Sequence, residues 1–185
     1  MKRILATAVA ITSAALLTAC SGDDSGMGNH GMDGTSADAN SADVMFAQMM
    51  VPHHEQAIEM SDVLLAKDGV DPEVVDLAEQ IKAAQGPEIE QMNEWLDEWG
   101  ADMAGGMDHG DGMMSEADME ALADADGASA GDLYLEQMIE HHEGAIDMAE
   151  SEVSDGKHEG AVAMAESIVE TQTAEIATMQ DMLAG

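Results

Sequence analysis

The stretch Phe46-Ala47-Gln48-Met49-Met50-Val51-Pro52-His53-His54-Glu55-Gln56-Ala57-Ile58-Glu59-Met60 decides the reading of this chain, because it returns as Tyr134-Leu135-Glu136-Gln137-Met138-Ile139-Glu140-His141-His142-Glu143-Gly144-Ala145-Ile146-Asp147-Met148. Four of the 7 histidines are spent in this one duplicated context. Phe46, Met50, His53, Ala57, Met60 and Leu64 recur at alternating spacings of four and three, which places them on one stripe of a helix. Tyr134, Met138, His141, Ala145 and Met148 repeat that stripe.

Working outward, the first helix ends near Lys67-Asp68-Gly69. Asp71-Pro72 then offers an N-cap followed by proline at the first helical position. The second helix carries Val74, Ala78, Ile81, Gln85, Glu88, Met92, Trp95 and Trp99 at the same spacing and stops at Gly100. Its counterpart carries Ile168, Gln172, Glu175, Ile176, Met179 and Leu183, after a turn at Ser154-Asp155-Gly156. Two amphipathic hairpins, each with one apolar face, bury those faces against each other. The expected fold is therefore all-α, a four-helix bundle built from two duplicated hairpins, about residues 43–99 and 132–184. Residues 100–131 between them combine a glycine-rich stretch with a short helix capped by Ser115.

The seam of such a bundle is ordinarily Leu, Ile, Val and Ala. Here it holds His53, Gln85 and Glu88, and again His141, Gln172 and Glu175. A buried imidazole or carboxylate without a partner costs roughly 1 to 3 kcal/mol, so these groups must satisfy one another or a bound ion. Met50 and Met138 lie one helical turn before the first histidine of each pair. Met60 and Met148 lie two turns after it, and Met92 and Met179 one turn beyond Glu88 and Glu175. Thioether with imidazole selects copper, above all Cu(I), whereas zinc, magnesium and calcium sites rarely use methionine. The second histidines, His54 and His142, point about 100 degrees away from the first and either flank the site or face solvent. Pro52 and Pro87 interrupt the first hairpin's helices where the second has Glu140 and Ala174, so the half-sites are expected to differ in geometry.

A second candidate is the loop holding Met103, Met107, His109, Met113 and Met114, whose spacing lets thioethers and imidazole wrap one soft ion. The chain has 18 methionines against 2 Trp, 1 Tyr and 1 Phe, so methionine is used here beyond ordinary core filling.

Residues 1–19 read as an export signal, with Lys2 and Arg3 before an apolar run too short and too rich in alanine and threonine for a membrane span. The run ends in Leu17-Thr18-Ala19-Cys20, similar to the lipobox at which bacterial lipoproteins are cut and lipidated. Cys20 is the 1 cysteine of the chain, which excludes an intramolecular disulfide. Residues 20–41 are rich in Gly, Ser, Asp and Asn, suited to a tether, and the bundle domain follows over 42–185. The formal net charge is −34. All acidic residues fall beyond the signal, where Lys67, Lys82 and Lys157 are the basic ones. Such a surface repels nucleic acid and anionic lipid and gathers cations.

The phrases at 50–60 and 138–149, with Gln85-x2-Glu88-Ile89-x2-Met92 and Gln172-x2-Glu175-Ile176-x2-Met179, resemble the bacterial secreted family called domain of unknown function 305, over about residues 43–184. The resemblance implies a ferritin-like four-helix bundle, exported, with some members linked to copper binding and resistance. Gln56 replaces the glycine common in that phrase, and Ser61 the alanine after Met60.

Three functions compete. The first is a lipid-anchored protein that sequesters or passes on Cu(I) outside the cytoplasmic membrane, with a copper-handling protein or a second copy of itself as partner. The second is a ferritin-like metal-dependent oxidoreductase, for which the seam carries few carboxylates. The third is a metal-free helical interaction module in which the polar seam sets helix register. Hydrolytic catalysis has no support: there is no Ser/His/Asp spacing, no glycine-rich phosphate loop and no basic patch, and no catalytic residue is assigned.

Overall fold

A computed structural model describes residues 38–102 and 112–185. The signal segment, Cys20, Met103, Met107 and His109 lie outside the described residues. The described residues form one compact unit. Five helices follow in order: α1 Ser41–Leu65, α2 Pro72–Trp99, α3 Glu116–Asp124, α4 Gly127–Asp155 and α5 Glu159–Ala184. No strand occurs among the described residues. None of their helices is long and apolar enough to cross a membrane.

Local chemistry sets the helix ends. Asn40 caps α1, its side chain accepting from the amides of Ala42 and Asp43, while Asp43 accepts from the Asn40 amide in return. Asp71 caps α2 with Pro72 at the first turn, and Gly100 closes it in the left-handed region at φ 66°. Both α1 and α2 run unbroken through Pro52 and Pro87.

The glycines at 127 and 131, which read as linker, belong to α4. Asp126 caps this helix by accepting from the Ser129 amide at 3.0 Å. A Cβ on Gly127 would come within 1.9 Å of the Asp68 carbonyl oxygen. The glycine is therefore a packing requirement where α4 starts against the α1–α2 turn, and helix propensity is overridden by that close approach.

α1 and α4 form the interface between the hairpins; α2 packs chiefly on α1, and α5 on α4. The buried residues divide into two apolar clusters. One gathers Phe46, Met50, Met92, Trp95, Trp99, Ala145, Ala165 and Ile168. The other gathers Met60, Leu64, Leu77, Ile81, Leu122, Tyr134, Met138 and Met179. Along α1 the first cluster ends at Val51 and the second begins at Ala57; along α4 the second ends at Met138 and the first begins at Ala145. His53 and His54 on one helix, and His141 and His142 on the other, fill the gap. The duplicated phrase thus places a polar layer across the middle of the core.

The short α3 breaks the pseudo-symmetry. Its Leu122 is fully buried, and Met114 just before it is 7% exposed, both within the second cluster. Gln56 holds the approach to α3 through two bonds, donating to the Met114 carbonyl at 2.9 Å and accepting from its amide at 2.7 Å. The matching position in the second repeat is Gly144, and Gly112, at φ 90°, lies against it: a Cβ there would meet the Gly144 Cα at 2.8 Å. The departure at Gln56 thus anchors the connection, and glycine at 144 makes room for it.

Candidate metal centre

Every histidine of the duplicated phrase is buried: His53 is 1% exposed, and His54, His141 and His142 are fully enclosed. Of the two placements open to His54 and His142, beside the site or in solvent, the packing rules out solvent. α1 has α4 on one side and α2 on another, so it buries a wide arc, and two residues 100 degrees apart both fall inside it.

The first histidines meet each other. The His53 and His141 rings lie with centroids 3.7 Å apart and planes inclined by 41°. All their ring nitrogens are buried without a side-chain hydrogen-bond partner, the His141 ring standing against the His53 backbone. The second histidines reach within their own hairpins: His54 Nε2 pairs with Glu88 Oε2 at 2.8 Å, and His142 Nε2 with Glu175 Oε2 at 2.6 Å. Their Nδ1 atoms have no partner, and the Oε1 atoms of Gln85 and Gln172 are likewise buried and unpaired. Glu88 and Glu175 are half-buried at the edge of the layer, not on the central stripe. Glu55 and Glu143, which complete the His-His-Glu phrase, are exposed.

Burial and the neighbouring imidazoles His54 and His142 push the His53 pKa down to about 3. His141 is held well below the ordinary value by burial first, then by His53, His142 and His54. Both are neutral imidazoles at physiological pH, the form that ligates metal. The methionines divide. Met50, Met60, Met92, Met138 and Met179 are fully buried, whereas Met148 is half-buried at the surface of the first cluster. Met50 and Met92 border the layer from one cluster, Met138 and Met179 from the other. Met113 is half-buried and Met114 lies in the core.

Among the described residues, no group of three or more His, Cys, Asp or Glu is arranged to hold a metal ion. A donor set of two imidazoles with thioethers stays available, and it suits a soft ion.

Ser61, the other departure from the family phrase, also has a partner. Its hydroxyl donates to the Ala57 carbonyl at 2.8 Å and lies 2.9 Å from the Tyr134 hydroxyl. The symmetry-related positions are Ala149 and Phe46, so each half keeps its own complementary pair. A polar residue opposite the single tyrosine was the sequence signal for this contact.

A further buried polar pair stands at the end of the first cluster. Asp43 accepts from the amides of Lys157 at 2.9 Å and His158 at 2.8 Å, tying the start of α1 to the start of α5. Burial raises its pKa, but the amides of Asn40 and His158 and a side-chain hydrogen bond from Glu152 outweigh that and hold it low. Glu152 lies beside it, 1% exposed, its pKa pushed up to about 8 by burial and by the Asp43 carboxylate.

The profile of the domain of unknown function DUF305 matches residues 43–183. The chain belongs to this family. A DUF305 protein from Streptomyces coelicolor, described as secreted, shares 35% identity at a TM-score of 0.75, covering 80% of this chain and 94% of its own. A DUF305 fragment from Deinococcus radiodurans shares 30% identity at 0.73, covering 79% and 97%. CopM in its Cu(I)-bound form shares 30% identity at 0.65, covering 76% and 94%. CopM has also been solved with Cu(II) and with silver. Comparison with curated protein sequences gives no match.

Proposed function

We propose that this chain is an exported copper-binding protein that holds Cu(I) as cargo in the polar layer, for sequestration or transfer outside the cytoplasmic membrane. The observation that carries the reading is the His53–His141 contact: two buried, neutral imidazoles whose nitrogens have no side-chain partner, bordered by Met50 and Met138. Several such orphaned atoms in one layer cost on the order of 1 to 3 kcal/mol each, a heavy burden against a total stability of about 5 to 15 kcal/mol. A soft cation offsets that cost, and the metal-bound forms of CopM support the choice of ion.

His53 and His141 would ligate, with the thioethers of Met50, Met138, Met92 and Met179 as the soft donors around them. His54 and His142 stand ready beside them through their free Nδ1 atoms, and Glu88 and Glu175 fix their rings by accepting from Nε2. The acidic surface gathers cations toward the protein. Cys20, as a lipidated N-terminus, would tether the domain to the membrane, and the Met/His loop at 103–114 would be an accessory soft-ligand segment. Carboxylates reach the layer at its edge through Glu88 and Glu175, which supports holding an ion over driving oxygen chemistry at its centre.

The test is Cu(I) competition against a chelator of known affinity. The mature chain should bind with Kd tighter than about 1 µM, equivalent to roughly −8 kcal/mol. Joint replacement of His53 and His141 by alanine should remove that binding. Equal affinity in parent and variant would exclude the layer as the site.

A further inference from the structure

The two ends of the α1–α4 interface are related by the duplication but are finished differently. Near the second cluster, the surface beside α1 and α4 is covered by α3, with Leu122 buried and Gln137 donating to the Asp118 carbonyl at 2.9 Å. At the opposite end the equivalent surface is an open cavity of about 280 Å³ between the first turns of α1 and the last turns of α4. Its walls include Met45, Met49, Met148, Phe46 and Glu152. The positions related to Met45, Met49 and Glu152 by the repeat are Leu133, Gln137 and Leu64. The methionines and the acid therefore belong to the open end alone, while the end under α3 is finished in leucine and glutamine.

Three thioethers around one cavity is an unusual use of exposed surface, since Met45 is 53% exposed and a solvated position gains nothing from a thioether. Met45 and Met49 are one helical turn apart on α1, and Met148 faces them from α4. Glu152 closes the inner wall of the cavity, buried and hydrogen-bonded to the Asp43 side chain.

We propose that this cavity is a second soft-metal site, distinct from the polar layer, in which Met45, Met49 and Met148 coordinate a monovalent ion of the Cu(I)/Ag(I) class. Thioethers prefer soft monovalent ions over the hard cations that an acidic surface otherwise collects. The site stands on its own residues and does not depend on copper entering the polar layer.

Silver ion, which needs no reductant, is the probe for the purified mature chain. Native mass spectrometry should show one equivalent fewer on the Met45→Leu/Met49→Leu/Met148→Leu variant than on the parent. The His53→Ala/His141→Ala variant should keep that equivalent. Methyl-labelled methionine spectra should show the Met45, Met49 and Met148 signals shifting on silver addition. Leucine replaces methionine at similar volume, so the triple variant should keep the parental melting temperature without metal. Unchanged stoichiometry and affinity in the triple variant, or no shift of those three methyls at saturating silver, would overturn the proposal.

Discussion

His53 and His141 share one buried contact, ring centroids 3.7 Å apart, at the point where the two repeats cross. Both pKa values are depressed below 6.5, that of His53 to about 3. The unfolded chain therefore binds protons that the folded one refuses as pH falls from 6.5 toward 3, and each histidine removes about 1.4 kcal/mol of stability per pH unit in that window. Glu152 acts oppositely. Its folded pKa is raised from 4.5 to about 8, so its contribution is complete below 4.5 and is lost as pH rises through 8. Between 4.5 and 6.5 two histidines outweigh one glutamate, and above 6.5 the glutamate acts alone. The metal-free protein should be most stable near pH 6.5, with the urea midpoint falling on both sides. A midpoint that rises steadily to pH 8 would contradict this.

Glu88 and Glu175 fix the second histidines, so their loss should be felt by metal as well as by the fold. Glu88→Ala leaves His54 Nε2 buried without its partner, at a cost of about 1 to 3 kcal/mol. Removal of such an orienting carboxylate typically weakens metal affinity 10- to 100-fold. Glu88→Gln retains an acceptor and should recover most of the stability. Chelator competition and thermal melts on both variants, with Glu175→Ala as the duplicate, measure the two effects separately.

The helices and their caps were legible because each one carries a periodic stripe and a chemical stop: Asp71-Pro72, Gly100, Ser115. The positions of His53, His141 and Met50 followed from the same period. His54 and His142 stayed open between the site and solvent because one helix was given one buried face, whereas α1 and α4 each meet two neighbours. The identity of their partners could not be read from spacing on a single helix, since His54–Glu88 joins α1 to α2 and depends on how the hairpin is registered. Met148 looked equivalent to Met60 in sequence. The two differ because α3 covers one end of the bundle and leaves the other open, and no local pattern near Met148 records that.

The Ser61–Tyr134 contact offers a cycle with a built-in control. Tyr134→Phe should cost about 0.5 to 1.5 kcal/mol, because Ser61 keeps its bond to the Ala57 carbonyl. Ser61→Ala leaves the Tyr134 hydroxyl buried without its partner and should cost more. The double variant recreates the apolar pairing of Phe46 with Ala149 at the other end. Its cost should therefore fall below the sum of the singles by about 0.5 to 1.5 kcal/mol, read from denaturant midpoints. Strict additivity would mean that the two hydroxyls do not interact.

Gln56 should govern α3 and little else. Its two bonds to Met114 hold the polypeptide that leads into Ser115, while Leu122 supplies the apolar contact. Gln56→Ala removes both bonds and leaves the Met114 amide and carbonyl partly buried and unpaired, worth about 1 to 3 kcal/mol locally. Alanine is also a better helix former than glutamine, so α1 itself should not weaken. The loss therefore falls on local opening of 114–124, where 1.4 kcal/mol is tenfold in exchange rate. Amide exchange from Met114 to Asp124 should speed up at least tenfold, while amides in the middle of α2 and α5 keep their protection. Uniform acceleration across all helices would show instead that α3 folds as one unit with the bundle.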